Sequence, residues 1–549
     1  MATTGILRSR RSAAQLHAIA SVEREIRAAD PANGRKYLRD FRDAYRCYEK
    51  VLSASDVRHE IAKTGIALVG DYHALPNSQR YLACLLRDHS FNQRHVVVGL
   101  ETIFSRDQHI LDEWSRHEID ENELRERIRF EFDWGYDWAP FYELLAAARD
   151  RGASLYGLDC MPREDLRKIG ARDRHAADKI ADLRRRHPEA LVLVLFGESH
   201  LAPQHLPALL QQRLPQEPLL TVLQNVDELY WRAAGEDRDH VEAVEVRENV
   251  LCVFNATPLE KYENYRLCID RWGRDHQSAP DLEPTFYNLI DGMVRFLRID
   301  QYSPHNTTQP RLLVDHMPEV YSRNSDALLR RLLSRKGFTA GQRRSLMREV
   351  RERGSVYLAP INAVYVRRFQ MTSAAEDATR FLHQACRALP NLAHSKTAQL
   401  VERPSLTRDD VFCVTVFEHA LAFFGSRILH PARPALRDND IADLFDITRE
   451  DLEYQTLLPF ADAVEALDFL IQHRENGLRT LLAPVFTDHK YDFVAEQLGH
   501  LLGTDLYDAY LEGRVNTAAL RKLFLTHIEE PGVAREAYDQ LRTRLRSSR

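Results

Sequence analysis

Four short, mostly apolar runs, each ending on an acidic residue, constrain this chain more than any other feature. Ile66-Ala67-Leu68-Val69 leads into Gly70-Asp71, and His95-Val96-Val97-Val98-Gly99-Leu100 leads into Glu101. Ala153-Ser154-Leu155-Tyr156-Gly157-Leu158 leads into Asp159, and the run from Leu191 to Phe196 leads into Gly197-Glu198. Runs without regular polar alternation are strands buried on both faces, and helical spacing fills the intervals between them, at about 77–88, 106–151 and 171–186. Strand, helix and strand in alternation imply an α/β fold: a mainly parallel sheet flanked by helices, with right-handed crossovers. Two further runs, 219–224 and 249–254, extend the sheet, with a polar loop at 235–239 between them.

The remainder of the 549 residues exceeds what one core organises. Residues 1–58 read as an N-terminal helical arm, with Tyr37, Phe41 and Tyr45 at helical spacing after a turn at Pro31-Ala32-Asn33-Gly34. The α/β domain is expected over 59–300. A Ser/Pro/Asn/Gln stretch at 303–310 reads as a linker, and 311–549 reads as an all-α C-terminal domain. A β-like patch at 355–360 interrupts its amphipathic helices.

Charge and cysteine usage exclude several classes. A formal net charge of -6, with acidic and basic residues interleaved, leaves no concentrated basic surface, so no nucleic-acid partner is expected. The longest apolar runs are strand-sized, below the roughly 20 residues that cross a bilayer, so no membrane span is expected. Residues 1–8 lack the apolar core of a secretory signal, and the seven cysteines include no CxxC. A cytoplasmic protein without disulfides or a thiolate zinc site is the expectation. No P-loop, GxGxxG or GxSxG motif is present.

At the strand ends, Gly70-Asp71-Tyr72-His73 and Gly197-Glu198-Ser199-His200 each set a carboxylate and an imidazole two residues apart. The C-terminal edge of an open α/β sheet is where such proteins build their sites. If the four strands are neighbours, Asp71, His73, Glu101, Asp159, Glu198 and His200 converge there. Such a set binds a divalent metal through His73, His200 and Glu101, or works without one, a glutamate-oriented histidine serving as general base toward water. The rival reading makes Asp71 and Glu198 helix caps and the histidines first-turn polar residues. Trp134 and Tyr136, in Asp133-Trp134-Gly135-Tyr136-Asp137-Trp138, are candidates to stack a planar ligand, and Arg172 is a candidate to clamp a substrate anion. Glu376, His383, Glu418, His419 and His430 include no ExxH pair and read as core or surface residues.

The ordered series resembles the ChaN-like family of haem-binding uptake proteins, in the wider group of Tiki proteases and erythromycin esterases. It runs GDYH, VVVGLE with Gln108 seven residues after Glu101, the Asp133–138 aromatic cluster followed by Tyr142, Gly157-Leu158-Asp159, Arg172-Asp173 opening a helix, and FGESH, over about 62–225. The resemblance implies an α/β domain with paired GxxH motifs around a polar pocket, and either hydrolysis or haem and iron handling. By position His73 and His200 are the motif histidines, Glu101 is the acid after the second strand, and Asp71 stands where the group usually has glutamate. Three functions stay open: a hydrolase-like or metal-binding domain acting on a small molecule or peptide, a haem- or iron-binding protein without catalysis, and a scaffold with a degenerate site. The helical C-terminal domain is the expected platform for a protein partner.

Overall fold

The computed structural model describes residues 5–30, 36–91, 94–161, 168–236, 238–273, 280–299, 317–322, 325–392, 406–437, 440, 460–476, 488–528 and 530–546. The turn read at 31–34 and the linker read at 303–310 lie outside them. The chain forms two compact units, residues 1–11 with 21–278 and residues 12–20 with 279–549. The helix Glu283–Leu297 therefore groups with the C-terminal half.

In the first unit a two-stranded ribbon pairs β1 (Ile6–Leu7) with β8 (His240–Val241). Its main sheet contains β2 (Lys50–Leu52), β3 (Ile66–Asp71), β4 (Val96–Phe104), β5 (Ser154–Asp159), β6 (Leu191–Gly197), β7 (Leu219–Gln224), β9 (Ala243–Arg247) and β10 (Val250–Val253). The order is β2-β9-β10-β7-β3-β6-β4-β5. The stretch from β10 to β5 is parallel throughout, while β9 and β2 add an antiparallel edge. The four acid-ending runs are thus β3 to β6, and the extensions at 219–224 and 249–254 are β7 and β10.

Alternate residues of each strand feed two cores. Ala67, Val69, Val96, Val98, Leu193 and Leu195 join one, with Tyr81, Leu82 and Leu86 of the helix Pro76–Arg87 and Leu144 of the helix Trp138–Asp150. Ile66, Leu68, Val97, Val192, Val194 and Phe196 join the other, with Ile180 of the helix Ile169–Arg186 and Leu206 and Leu210 of the helix Leu206–Arg213. The period of two explains why these strands read as unbroken apolar runs: both faces are covered by helices. The chain leaves β3 toward one face and leaves β6 toward the other, although the two strands are adjacent. That reversal opens a crevice at their C-terminal ends, where ligands of open α/β sheets sit.

The second unit is mainly helical and carries a three-stranded sheet of β11 (Glu319–Ser322), β12 (Ser355–Leu358) and β13 (Ala363–Val366), in the order β11-β13-β12. The β-like patch of the sequence is β12. Helix Arg408–Leu429 lies against Asp488–Leu511, and Gly499 makes the approach close: a Cβ there would stand 2.9 Å from the Val416 carbonyl. Helix Arg408–Leu429 is long and apolar enough to cross a membrane by length and composition, and most of it is buried inside this unit.

Candidate functional site

The register of β3 and β6 sets the geometry of the crevice. Asp71 pairs with Gly197 and Leu100 of β4 pairs with Leu195, so Asp71 and Gly197, at the ends of β3 and β6, come together with Glu101 of β4, just past the last residue of β4 that pairs with β6. Gly197 has φ -51° and ψ 130°, a backbone any residue adopts. Its value lies in what it leaves open. A Cβ there would stand 3.1 Å from both Glu101 Oε2 and His73 Nε2, and 3.2 Å from His200 Cδ2.

Around that point two histidine–aspartate pairs face one glutamate. His73 Nδ1 lies 2.8 Å from Asp71 Oδ2, and His200 Nδ1 lies 2.5 Å from Asp173 Oδ1. A ring nitrogen facing a carboxylate carries the proton, which makes Nε2 the lone-pair nitrogen of the neutral ring. Each Nε2 is 3.8 Å from Glu101, His73 from Oε2 and His200 from Oε1. Both imidazoles therefore flank a single carboxylate.

Glu101 is itself held in place. Its Oε2 accepts from the Gly197 N–H at 2.6 Å, and its Oε1 accepts from Arg172 Nη2 at 2.7 Å. The Arg172 guanidinium also donates to both oxygens of Asp159, from Nε and Nη2, each at 2.8 Å. Burial pushes the Glu101 carboxyl up, but His200 and His73, when protonated, and Arg172 outweigh it and hold it well below the usual glutamate range. Burial pushes the Asp71 carboxyl upward, against the pull of His73. Asp71, Glu101, Asp159, Arg172, Asp173 and His200 each keep 5% or less of their surface, while the His73 side chain keeps 21%. The cluster is thus most open to solvent at His73. Among the described residues of this pocket four carboxylates meet one guanidinium, an interior whose field favours a cation.

Aromatic rings wall that side. Trp134 lies 4.4 Å and Tyr136 5.3 Å from the His73 ring, and Tyr136 in turn meets Trp272 at 5.2 Å. Gly135 between them has φ +76°, a conformation suited to glycine, and its carbonyl accepts from Trp272 Nε1 at 2.8 Å.

Of the residues expected at the site, Asp71, His73, Glu101, Asp159, Arg172 and His200 come together, with Trp134 and Tyr136 beside His73. Glu198 is a correction: its carboxylate pairs with Lys261 Nζ at 3.0 and 3.2 Å, while the histidine Nδ1 atoms are held by Asp71 and Asp173. The physical reason is register. Asp71 is still a strand residue, whereas β6 stops at Gly197, so Glu198 lies one residue beyond and starts a 3-10 turn, Glu198–Leu201. Asp159 likewise orients Arg172 rather than a histidine. Asp173 takes the place expected of Glu198; the motif series contains it, beside Arg172, without a role. Lys261, which also stands 4.5 Å over the Tyr72 ring, carries no sequence signal beyond its helical spacing.

In the second unit, donor atoms of Glu376, His419 and His500 lie within 4.8 Å of one another. The Glu376 carboxylate accepts from Arg380 Nη2 at 2.9 Å and from Arg433 Nη1, with Arg353 Nη2 2.7 Å away. His419 Nδ1 faces Arg380 Nη2 at 3.1 Å and so accepts, which places its proton on Nε2. Three guanidiniums around one carboxylate form an ion-pair network hostile to a further cation.

Residues 57–193 match the family model described as "Haem-binding uptake, Tiki superfamily, ChaN". This agrees with the resemblance carried by the motifs. Among solved structures, the chain is similar to one titled "Cofacial heme binding to ChaN of Campylobacter jejuni", at 17% identity, covering 37% of this chain and 92% of that one, with a TM-score of 0.27. No curated protein matches. The matched stretch holds Asp71, His73, Glu101, Asp159, Arg172 and Asp173, and ends before Gly197 and His200.

Proposed function

We propose that the crevice binds a divalent transition-metal ion through His73 Nε2, His200 Nε2 and Glu101, and that the domain hydrolyses a small-molecule or peptide substrate. The observation that carries this reading is the pair of Nε2 atoms, each 3.8 Å from one oxygen of the same carboxylate, with each Nδ1 held by its own aspartate. Two imidazoles and one carboxylate are a donor set of catalytic metal sites, and carboxylates behind the ligand histidines raise their basicity and fix their tautomer. When bound, such an ion supplies an acidified water and polarises the oxygen of a scissile bond.

The chain's own residues do the rest. Asp71 and Asp173 keep the Nδ1 protons and aim both lone pairs inward. Arg172 and the Gly197 N–H hold the Glu101 carboxylate. Trp134 and Tyr136 shield the His73 edge and limit bulk water where substrate enters. A second reading, haem or iron binding without turnover, is favoured by this same aromatic wall beside the more accessible of the two site histidines, and haem binding is what the matched family's description names.

Stripping the full-length protein with chelator, reloading it with Zn2+, Mn2+ or Co2+, and assaying an ester and peptide panel tests the proposal. Hydrolysis that disappears with the ion and returns on reloading is the expected result. A stoichiometric Soret shift with haemin, lost in Trp134→Ala and unaccompanied by ion-dependent turnover, would favour the second reading and overturn the first.

A further inference from the structure

The two histidine–aspartate pairs are not supported alike. Asp71 is steadied from within the α/β sequence, by Gln79 Nε2 from the helix that follows β3. Asp173 is steadied from the N-terminal arm: the Tyr37 hydroxyl donates to Asp173 Oδ2 at 2.9 Å, leaving Oδ1 for His200 Nδ1. Tyr37 lies on the short helix Lys36–Ala44, before the stretch that matches the family model.

Several contacts fix that hydroxyl. The Tyr37 ring stacks on His205 with centroids 3.7 Å apart and planes 8° from parallel, and it meets His200 edge-on at 5.7 Å. His205 Nε2 is in turn 3.0 Å from Asp40 Oδ2, one turn further along the same helix. Beyond the helix, the buried Tyr45 hydroxyl donates to the Leu201 carbonyl at 2.6 Å, next to His200. The arm thus touches the turn that carries His200 at two places, His200 itself and Leu201, and holds His205 just beyond it.

We infer that Tyr37 is a positioning residue for the site, fixing the Asp173 carboxylate and through it the Nδ1 proton and inward lone pair of His200. A carboxylate with one oxygen on a phenol and the other on an imidazole cannot rotate, and both acceptor atoms are satisfied in a buried setting. Without the phenol, Oδ2 has lost this donor and the carboxylate turns to seek another. The His200 Nδ1 bond lengthens as it turns. The inference deepens the metal reading, and it specifies that a second-sphere group of this site comes from outside the α/β sequence.

The test uses the full chain with 15N-labelled histidine, comparing wild type, Tyr37→Phe and, as a control on the same arm, Tyr48→Phe, which removes a hydroxyl that donates to Glu236 and not to the site. Tyr37→Phe keeps the ring stack on His205 and removes only the hydroxyl. In the ion-free protein, the His200 Nδ1–H resonance is expected to move and exchange faster, while that of His73 stays in place. In Co2+ titrations followed by d–d absorption, affinity is expected to fall about tenfold, the lower end for an outer-shell partner, with no change in Tyr48→Phe. An unmoved His200 Nδ1–H in Tyr37→Phe overturns the inference whatever the wild type does with Co2+. A wild type that does not bind Co2+ overturns the metal reading, and the ion-free resonances still decide the role of Tyr37.

Discussion

Arg172→Met is expected to destabilise the α/β unit by about 3–5 kcal/mol, the cost of leaving buried charge without its partner. Methionine keeps the packing of the stem but removes three hydrogen bonds, two to Asp159 and one to Glu101. Both carboxylates are buried, so neither is rescued by water without opening the site. Combining Arg172→Met with Asp159→Asn should recover part of the loss, because one of the stranded charges is gone. The effect also has a pH signature. Glu101 is held below its ordinary 4.5 in the folded protein, so its contribution is fully present above about pH 4.5 and is lost as pH falls through the depressed value. Arg172 is one source of that depression, so the gap between wild type and variant should narrow as pH falls from about 5 to 3. Urea titrations that follow the α/β unit separately would read it, since a chain of two units need not unfold in one step. A variant within about 1 kcal/mol of wild type, the scale of a surface pair, would mean that Arg172 does not hold these carboxylates.

Gly197→Ala should separate the site from the fold. The backbone at this position is ordinary for an L-residue, so the substitution meets no conformational penalty. Its methyl would instead stand 3.1 Å from Glu101 Oε2 and from His73 Nε2, in the space on which the donor atoms converge. Ion affinity is expected to fall roughly 100-fold, as when ligand geometry is lost, against about 1–3 kcal/mol of stability for a small overpacking. Isothermal titration beside a thermal melt gives both numbers. Unchanged affinity would show that the ion, if bound, sits away from Gly197.

The pattern of these effects follows what the amino-acid order makes visible. Asp71, Glu101 and Asp159 are legible because each ends an apolar run, and a parallel sheet buried on two faces turns such ends into one edge. The histidines are legible because they follow a strand-end glycine at fixed spacing. Reading Glu198 as the counterpart of Asp71 fails by one residue of register: Asp71 pairs with Gly197, and a single step moves a side chain to a different direction. Asp173 and Lys261 lie inside helices whose spacing reports burial and not partners. Tyr37 reaches the pocket from an arm whose docking is a tertiary fact, and its helical spacing alone gives no hint of Asp173.

X-ray absorption of the Zn2+-loaded protein reads the ligand set of the proposed ion itself. The expected result is one ion with two imidazole nitrogens and at least one carboxylate oxygen in its first sphere, both imidazoles disappearing in the double variant His73→Ala, His200→Ala. Absence of a bound ion, or an unchanged first sphere in that variant, would contradict it.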